Sequence, residues 1–365
     1  MSQSQMHKYF AALNYLEKLT PLRFSRLLKY FQNDAERIWR ADRERWRQAG
    51  IEPKAVSEIW LEKEKIDPAE ELKKLSKLGA KVLPITADKY PALLKEIYDP
   101  PPVLLFRGEF PLPADDFAVA VVGSRVTSSY GRQATVELTR GLAQAGIVIV
   151  SGLAIGIDTV AHQAALDCGG RTVAVLGNGI DQIYPPRNRQ LAKDILGKGG
   201  AIISEYPIGR EPAAYNFPQR NRIIAGLSRG VLVTEARERS GALITTQIGL
   251  ESGREIFAVP GSIFSESSAG PNRLIQSGAK PVLTAADLLE ALNFHNLPEK
   301  IQIRKVVADT AEESKMLEVL TKTSTHIDEL VRQSSLSAGE VGSVLSLLEM
   351  KGLAKNLGGM QWVRT

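Results

Sequence analysis

Four short segments carry residue types from which an anion-binding or base-stacking site is made, and most follow an apolar, β-branched run. Gly123-Ser124-Arg125 closes the run at 117–123, just before a helix predicted to begin near Gly131. A glycine there lets a phosphate approach the backbone, and Ser124 offers a hydroxyl. Amides at the helix N-terminus favour an anion, and Arg125 adds a planar fork of donors. A plain strand-to-helix turn would use the same residues. Ser240-Gly241-Ala242-Leu243, after the run ending in Glu235, repeats the pattern: it receives another phosphate or is a close-packed turn.

Phe217-Pro218-Gln219-Arg220-Asn221-Arg222 opens the helix before the Glu235 strand. Its aromatic ring can stack a base while the guanidinium groups hold phosphates. The alternative is a core-anchoring Phe217 with arginines paired to carboxylates such as Glu205. In the segment from Ser151 to Asp158, another glycine-punctuated loop, Asp158 is placed to cap the next helix. His162 follows four residues later on the same face. It reads as a structural histidine, because no nucleophile or metal ligand accompanies it.

Composition narrows the class. The 365 residues are 44% hydrophobic and 24% charged, with net charge +5, and the isoelectric point is near 9.1. These values suit a soluble chain with a polyanionic partner. Between Glu205 and Arg254 there are seven arginines (210, 220, 222, 229, 237, 239 and 254) and no lysine, a bias towards phosphate recognition. One cysteine, Cys168, excludes an intramolecular disulfide and a multi-cysteine metal site. There is no apolar run of about 18 residues and no secretory pattern at 1–10, so a cytoplasmic protein without a membrane partner is expected.

The elements that position these segments follow from periodicity. Residues 1–70 read as short amphipathic helices, with 13 basic and 11 acidic residues and so no strong basic patch. From 71 to 292, apolar runs at 117–123, 147–152, 172–177, 201–205, 230–235 and 255–261 alternate with helices. Strands this apolar are covered on both faces, which predicts an α/β fold with a Rossmann-like, doubly wound, mostly parallel sheet. Runs at 81–85 and 103–106 extend it. Residues 293–312 read as a linker. Residues 313–365 read as three helices and a hairpin, a winged helix, with capping signals at Thr325/Asp328 and Ser337/Glu340, a helix end at Gly352, and a turn at Leu357-Gly358-Gly359.

Several motifs are missing. There is no Gly-x-x-x-x-Gly-Lys-Ser/Thr loop and no Gly-x-Gly-x-x-Gly fingerprint, since Gln182 replaces the third glycine after Gly177-Asn178-Gly179. Histidines 7, 162, 295 and 326 form no metal spacing. No cofactor is expected.

In order, these segments resemble the DNA-processing protein A (DprA/Smf) family over about 75–290. The resemblance is carried by Val121-Val122-Gly123-Ser124-Arg125, by Ser151 to Asp158 with Ala161-His162, and by Ala174 to Asp181 with Tyr184-Pro185 and Asn188. It continues through Ser204-Glu205-Tyr206-Pro207, Phe217 to Arg222, Ser240 to Leu243, Gly253-Arg254-Glu255 and Ala258-Val259-Pro260-Gly261. It implies a protein that binds single-stranded DNA, protects it during natural transformation, loads the RecA recombinase, and dimerises through the Rossmann-like domain. It implies no catalytic residues. By the same resemblance Gly123, Ser124 and Arg125 line a phosphate pocket, Phe217 stacks a base, Arg220, Asn221 and Arg222 border the groove, and Ser240 and Gly241 complete it.

Residues 1–70 resemble the family's sterile-alpha-motif-like or helix-hairpin-helix segment. They lack its Gly-hydrophobic-Gly turn, Gly50-Ile51 being followed by Glu52, which points to an accessory role. Two rival readings differ in kind. One is a phosphoribohydrolase-like nucleotide enzyme using Glu235 or Asp158, although Ser240 to Thr245 stands where a Pro-Gly-Gly-x-Gly-Thr loop is needed. The other is a duplex-DNA regulator acting through the winged helix.

Overall fold

A computed structural model describes residues 3–110, 117–294, 310–321, 323–350 and 353–364. These form two compact units, 1–298 and 299–365. Six helices, from Gln3–Asn14 to Pro68–Lys77, build the N-terminal part. Thr20, Asp34, Asp42 and Asp67 each accept a first-turn amide, and prolines 21, 53 and 68 preset the entry of their helices. Their buried side chains, including Phe10, Leu27, Ile38 and Trp46, share one apolar cluster with Val82, Leu105, Leu176 and Ile202 of the sheet. The helical segment at 1–70 thus packs on the sheet through a continuous core.

The sheet has nine strands: β1 (Lys81–Pro84), β2 (Val103–Gly108), β3 (Ala118–Val122), β4 (Val148–Ser151), β5 (Thr172–Leu176), β6 (Ala201–Ser204), β7 (Gly230–Val233), β8 (Glu255–Ala258) and β9 (Lys280–Pro281). Their order is β1-β2-β6-β5-β4-β3-β7-β8-β9. The strands from β6 to β9 across the sheet are parallel, whereas β2 runs antiparallel to both β6 and β1. All six long apolar runs of the sequence form strands, as do the two flanking runs; β9 is too short to show in the sequence pattern. Every residue of β3, β4, β5, β6 and β7 is buried, because helices cover both faces. The chain leaves β3 for β4, β5 and β6 on one side, then crosses to β7 on the other. The switch point therefore lies between β3 and β7, where open sheets of this kind hold their ligands.

The second unit contains helices Ala311–Val319, Ile327–Ser334 and Ala338–Met350 and a small antiparallel sheet of β10 (Thr325–His326), β12 (Gln361–Arg364) and β11 (Ala354–Gly358), in that order. Met316, Leu330, Val341, Leu345 and Trp362 form its own core. Ser337 and Glu340 cap as predicted: the Glu340 amide donates to Ser337 Oγ, and the Ser337 amide donates to Glu340 Oε2. Thr325 does not cap the helix. It lies in β10, and His326 Nδ1 accepts the Asp328 amide instead, at 3.3 Å. The hairpin turns through Gly358, Gly359 and Met360, all at positive φ. The helix end expected at Gly352, His295 and most of the expected linker lie outside the described residues.

Candidate nucleic-acid interface

A cleft of about 700 Å³ opens at the carboxyl ends of β3, β4 and β7, and eight of the nine candidate residues line it: Gly123, Ser124, Arg125, Phe217, Arg220, Asn221, Ser240 and Gly241. The ninth, Arg222, does not. The loops after β3 and β4 meet closely: a Cβ at Gly123 would lie 2.6 Å from Ile157, and one at Gly156, whose φ is +90°, would lie 2.2 Å from the Ser124 carbonyl oxygen. Only glycine fits these two positions.

The anion site inferred at the Gly-Ser-Arg loop is already filled from within. The helix Ser129–Gln144 begins after the Gly-Ser-Arg loop. Its N-terminus holds the Glu235 carboxylate, which accepts from the Ser128 amide at 2.9 Å, the Ser128 hydroxyl and the Ser267 hydroxyl at 2.7 Å. This is the position the sequence reserves for a phosphate; an internal carboxylate satisfies the same amides and dipole. Ser124 Oγ likewise donates to the Val126 carbonyl at 2.6 Å, closing its own turn. Asp158 does not cap the next helix, whose N-cap is Gly156. Its buried carboxylate accepts the Gly152 and Ala154 amides at 3.0 and 3.3 Å, and burial raises its pKa. Glu235 is thus engaged by Ser128 and Ser267, and Asp158, which lines the cleft, by two backbone amides. Ser240 is the N-cap of the Gly241–Glu251 helix, and Gly241 is exposed with open space at its Cβ position.

Phe217 is half-buried and forms no part of the buried core. It rests against the Gly177 backbone, where a Cβ would come within 2.8 Å of the ring, and Tyr184 lies 5.8 Å away at 31°. The guanidinium carbons of Arg125 and Arg220 stand 5.5 and 5.9 Å from its centroid. An exposed ring portion beside two cations combines a stacking surface with charge.

The arginines divide by burial and pairing. Arg220 is 4% exposed and donates to the carbonyls of Gly152 and Val175. Burial lowers its pKa to about 10, so it stays charged at neutral pH, a cation set into the cleft floor. Arg125 and Arg239 are exposed. Among the described residues, no carboxylate lies within ion-pair distance of Arg125, Arg220 or Arg239. Arg222 differs from the sequence expectation. Its guanidinium binds Glu205 at 2.6 and 2.9 Å and approaches Asp99 at 3.5 Å, so it is a structural ion pair and not a groove residue. Residues 220 and 222 differ by about 200° along a helix, which separates the floor of the cleft from the opposite side.

The arginine bias dissolves further. Arg210 pairs with Glu17, Arg229 lies 4.2 Å over Phe117, and Arg254 donates to the Leu93 carbonyl. Tyr184, Arg237 and Arg239 also line the cleft, beyond the nine candidates that the sequence marks. Arg237 and Arg239 belong to the arginine run, which is the signal for them; Tyr184 has none beyond its place in a family motif. His162 is fully buried, with Nδ1 at 2.6 Å from Thr172 Oγ1. Among the described residues there is no cluster able to hold a metal ion and no helix long and apolar enough to cross a membrane.

A Rossmann-like α/β sheet with a basic, aromatic-containing cleft at its switch point, carrying a separate winged-helix unit, sets the class of the protein. The profile of the family described as DNA recombination-mediator protein A matches residues 81–293, and that of the DprA winged helix domain matches 304–360. The chain belongs to this DprA/Smf family of DNA-processing proteins. It is 45% identical to DNA processing protein DprA of Bacillus subtilis over 219 residues, 60% of this chain and 73% of that one. It is 33% identical to protein Smf of Synechocystis across 98% of both chains. The X-ray structure of DprA from Streptococcus pneumoniae superposes with a TM-score of 0.66 at 39% identity, covering 80% of this chain and 98% of the other. DprA of Helicobacter pylori, whose structure concerns its single-stranded DNA binding mode, superposes at 0.53 with 29% identity, covering 59% and 96%.

Proposed function

We propose that the cleft between β3 and β7 binds single-stranded DNA, with Arg125, Arg239 and the buried Arg220 drawing in phosphates and Phe217 stacking a base. The observation that carries this reading is the convergence on one cleft of two exposed guanidinium groups, Arg125 and Arg239, with no ion pair among the described residues, and the buried Arg220, beside a half-exposed ring. Arg220 is held in the cleft floor by the Gly152 and Val175 carbonyls and is attracted by the buried Asp158 carboxylate, so it adds a fixed positive charge to the floor. Gly241 lets the backbone be approached, Gly123 lets the loops after β3 and β4 meet behind the cleft, Ser124 shapes the turn that presents Arg125, and Asn221 and Ser240 border the same wall.

The relationship to DprA proteins extends the reading. In the cytoplasm, the protein protects incoming single strands and loads the RecA recombinase during natural transformation and recombination, as a homodimer through its Rossmann-like unit. It works without cofactor and as a binding protein, not an enzyme: the Glu235 carboxylate is taken up by two serines, and Asp158 by two amides.

The test is a titration with oligonucleotides of increasing length at several salt concentrations. Affinity should fall linearly on a log–log plot against salt, and Arg125→Ala should make that slope shallower by about 0.7 for each phosphate left without its cation. A folded Arg125→Ala variant with unchanged affinity and slope removes Arg125 from the site.

A further inference from the structure

The segment at 207–215 is a wall with two faces. Pro212 and Ala214 line the cleft, whereas Glu211, Ala213 and Tyr215 line a second cavity of about 360 Å³, together with Tyr15 and Glu17 from the N-terminal helical part. The two cavities therefore share a partition one strand of chain thick, and their chemistry differs.

The second cavity has one cation among its lining residues, Arg210, and that cation is spent. Its Nη1 contacts the Glu17 carboxylate, and its Nη2 donates to the Tyr215 hydroxyl at 3.1 Å. Glu211 is exposed and has no ion-pair partner among the described residues. The lining thus carries one net negative charge and an excess of acceptors. Two aromatic rings complete it. Tyr215 is 59% exposed. Burial, and then the nearby Glu71 carboxylate, raise the pKa of the Tyr15 phenol, so it stays neutral in the lining.

Such a lining disfavours phosphate and favours an aromatic group that donates N–H. We propose that this cavity is a base-reading subsite for the strand held in the cleft, selecting bases with an exocyclic amine and taking cytosine in preference to uracil or thymine. This rests on the single-stranded DNA reading of the cleft. The cytosine N4 amine donates to a carboxylate, whereas uracil and thymine present a carbonyl oxygen there and leave acceptor facing acceptor. Tyr215 supplies a stacking face at the cavity mouth.

The test uses the full chain and oligonucleotides of equal length made of deoxycytidine or deoxyuridine, which differ along the N3–C4 edge, where cytosine carries the amine and uracil a carbonyl oxygen beside N3–H, and not at the methyl group. Slightly alkaline buffer keeps cytosine N3 unprotonated. The deoxycytidine strand should bind about fivefold to tenfold more tightly, the range expected of a charge-assisted hydrogen bond in a partly open site. Glu211→Ala and Tyr215→Ala, both at exposed positions, should shrink that ratio. Arg125→Ala should weaken both strands and keep it. Equal affinities in the unaltered protein, as a cavity built for a polyamine or a lysine side chain would give, overturn the subsite and leave the cleft reading standing. A ratio unmoved by both cavity variants does the same. Failure of both strands to bind overturns the cleft reading itself.

Discussion

At the scale of single residues, Phe217 is packed on one side and, in the proposed reading, stacks a base on the other. One part of the ring is fixed against the Gly177 backbone, and the rest faces a cleft containing Arg125 and Arg220. A ring held this way arrives at a base already ordered, so stacking costs little side-chain entropy. Phe217→Ala should weaken single-stranded DNA binding by about 1–3 kcal/mol while leaving the salt slope nearly unchanged, since stacking releases no counterions. Calorimetric unfolding run alongside the titration separates this from a structural role. A lower melting temperature with normal binding would make Phe217 an anchor only. Arg222 shows the opposite case, a motif arginine consumed by Glu205 within the fold.

At the scale of elements, the loops at the strand ends are held by side chains that substitute for ligand. Glu235 ties the start of the Ser129–Gln144 helix to the loop carrying Ser267, and Asp158 ties the segment at 152–154 to the helix behind it. His162 ties that same helix to β5. The Thr172 hydroxyl donates to the Ile149 carbonyl at 2.7 Å, so it accepts from His162 Nδ1–H, and Nε2 is left unprotonated and buried without a partner. Burial, with Arg220 nearby, pushes the His162 pKa down from 6.5 to about 3. The sign follows: below pH 6.5 the unfolded chain takes up a proton here that the folded chain refuses. Stability contributed by neutral His162 is therefore complete above pH 6.5 and is lost as pH falls towards 3. In denaturant titrations between about pH 6 and 5, His162→Gln should flatten the pH dependence of unfolding by up to about 1.4 kcal/mol per pH unit. An unchanged slope would mean that His162 titrates normally in the folded protein.

At the scale of the whole molecule, the chain forms two units with separate cores, and the proposed division gives single-stranded DNA to the first. In a winged helix that reads duplex DNA, the third helix presents basic and amide side chains to the major groove. Here the helix Ala338–Met350 exposes Gly339, Glu340, Ser343, Ser346, Leu347 and Glu349. Its glutamates are occupied, Glu340 at the Ser337 cap and Glu349 by the Asn356 amide, and Ser343 and Ser346 donate back to Gly339 and Gly342. This face carries no cation and suits protein contact. A chain ending near residue 292 should keep most of the single-stranded DNA affinity, and the isolated segment from about 309 should bind duplex DNA negligibly. Micromolar duplex binding by that segment at physiological salt would contradict this division.

The sequence by itself determined the sheet, the loops that meet at its carboxyl edge and the winged-helix order. Those features follow from local patterns: fully apolar runs such as Ala118–Val122, and glycines at strand ends where only glycine fits. The candidate residues Phe217, Arg125 and Arg220 do line one cleft, since strand-end loops converge wherever an open sheet reverses its winding. Only the tertiary structure decided which charges are available. Ser128 meets Glu235 across 107 residues, Arg210 meets Glu17 across 193, and Arg222 meets Glu205 across 17. A helix N-terminus or a guanidinium looks the same in sequence whether its partner is a phosphate or the protein's own carboxylate. Electrostatic pairing acts over a few ångströms of space and takes no account of distance along the chain.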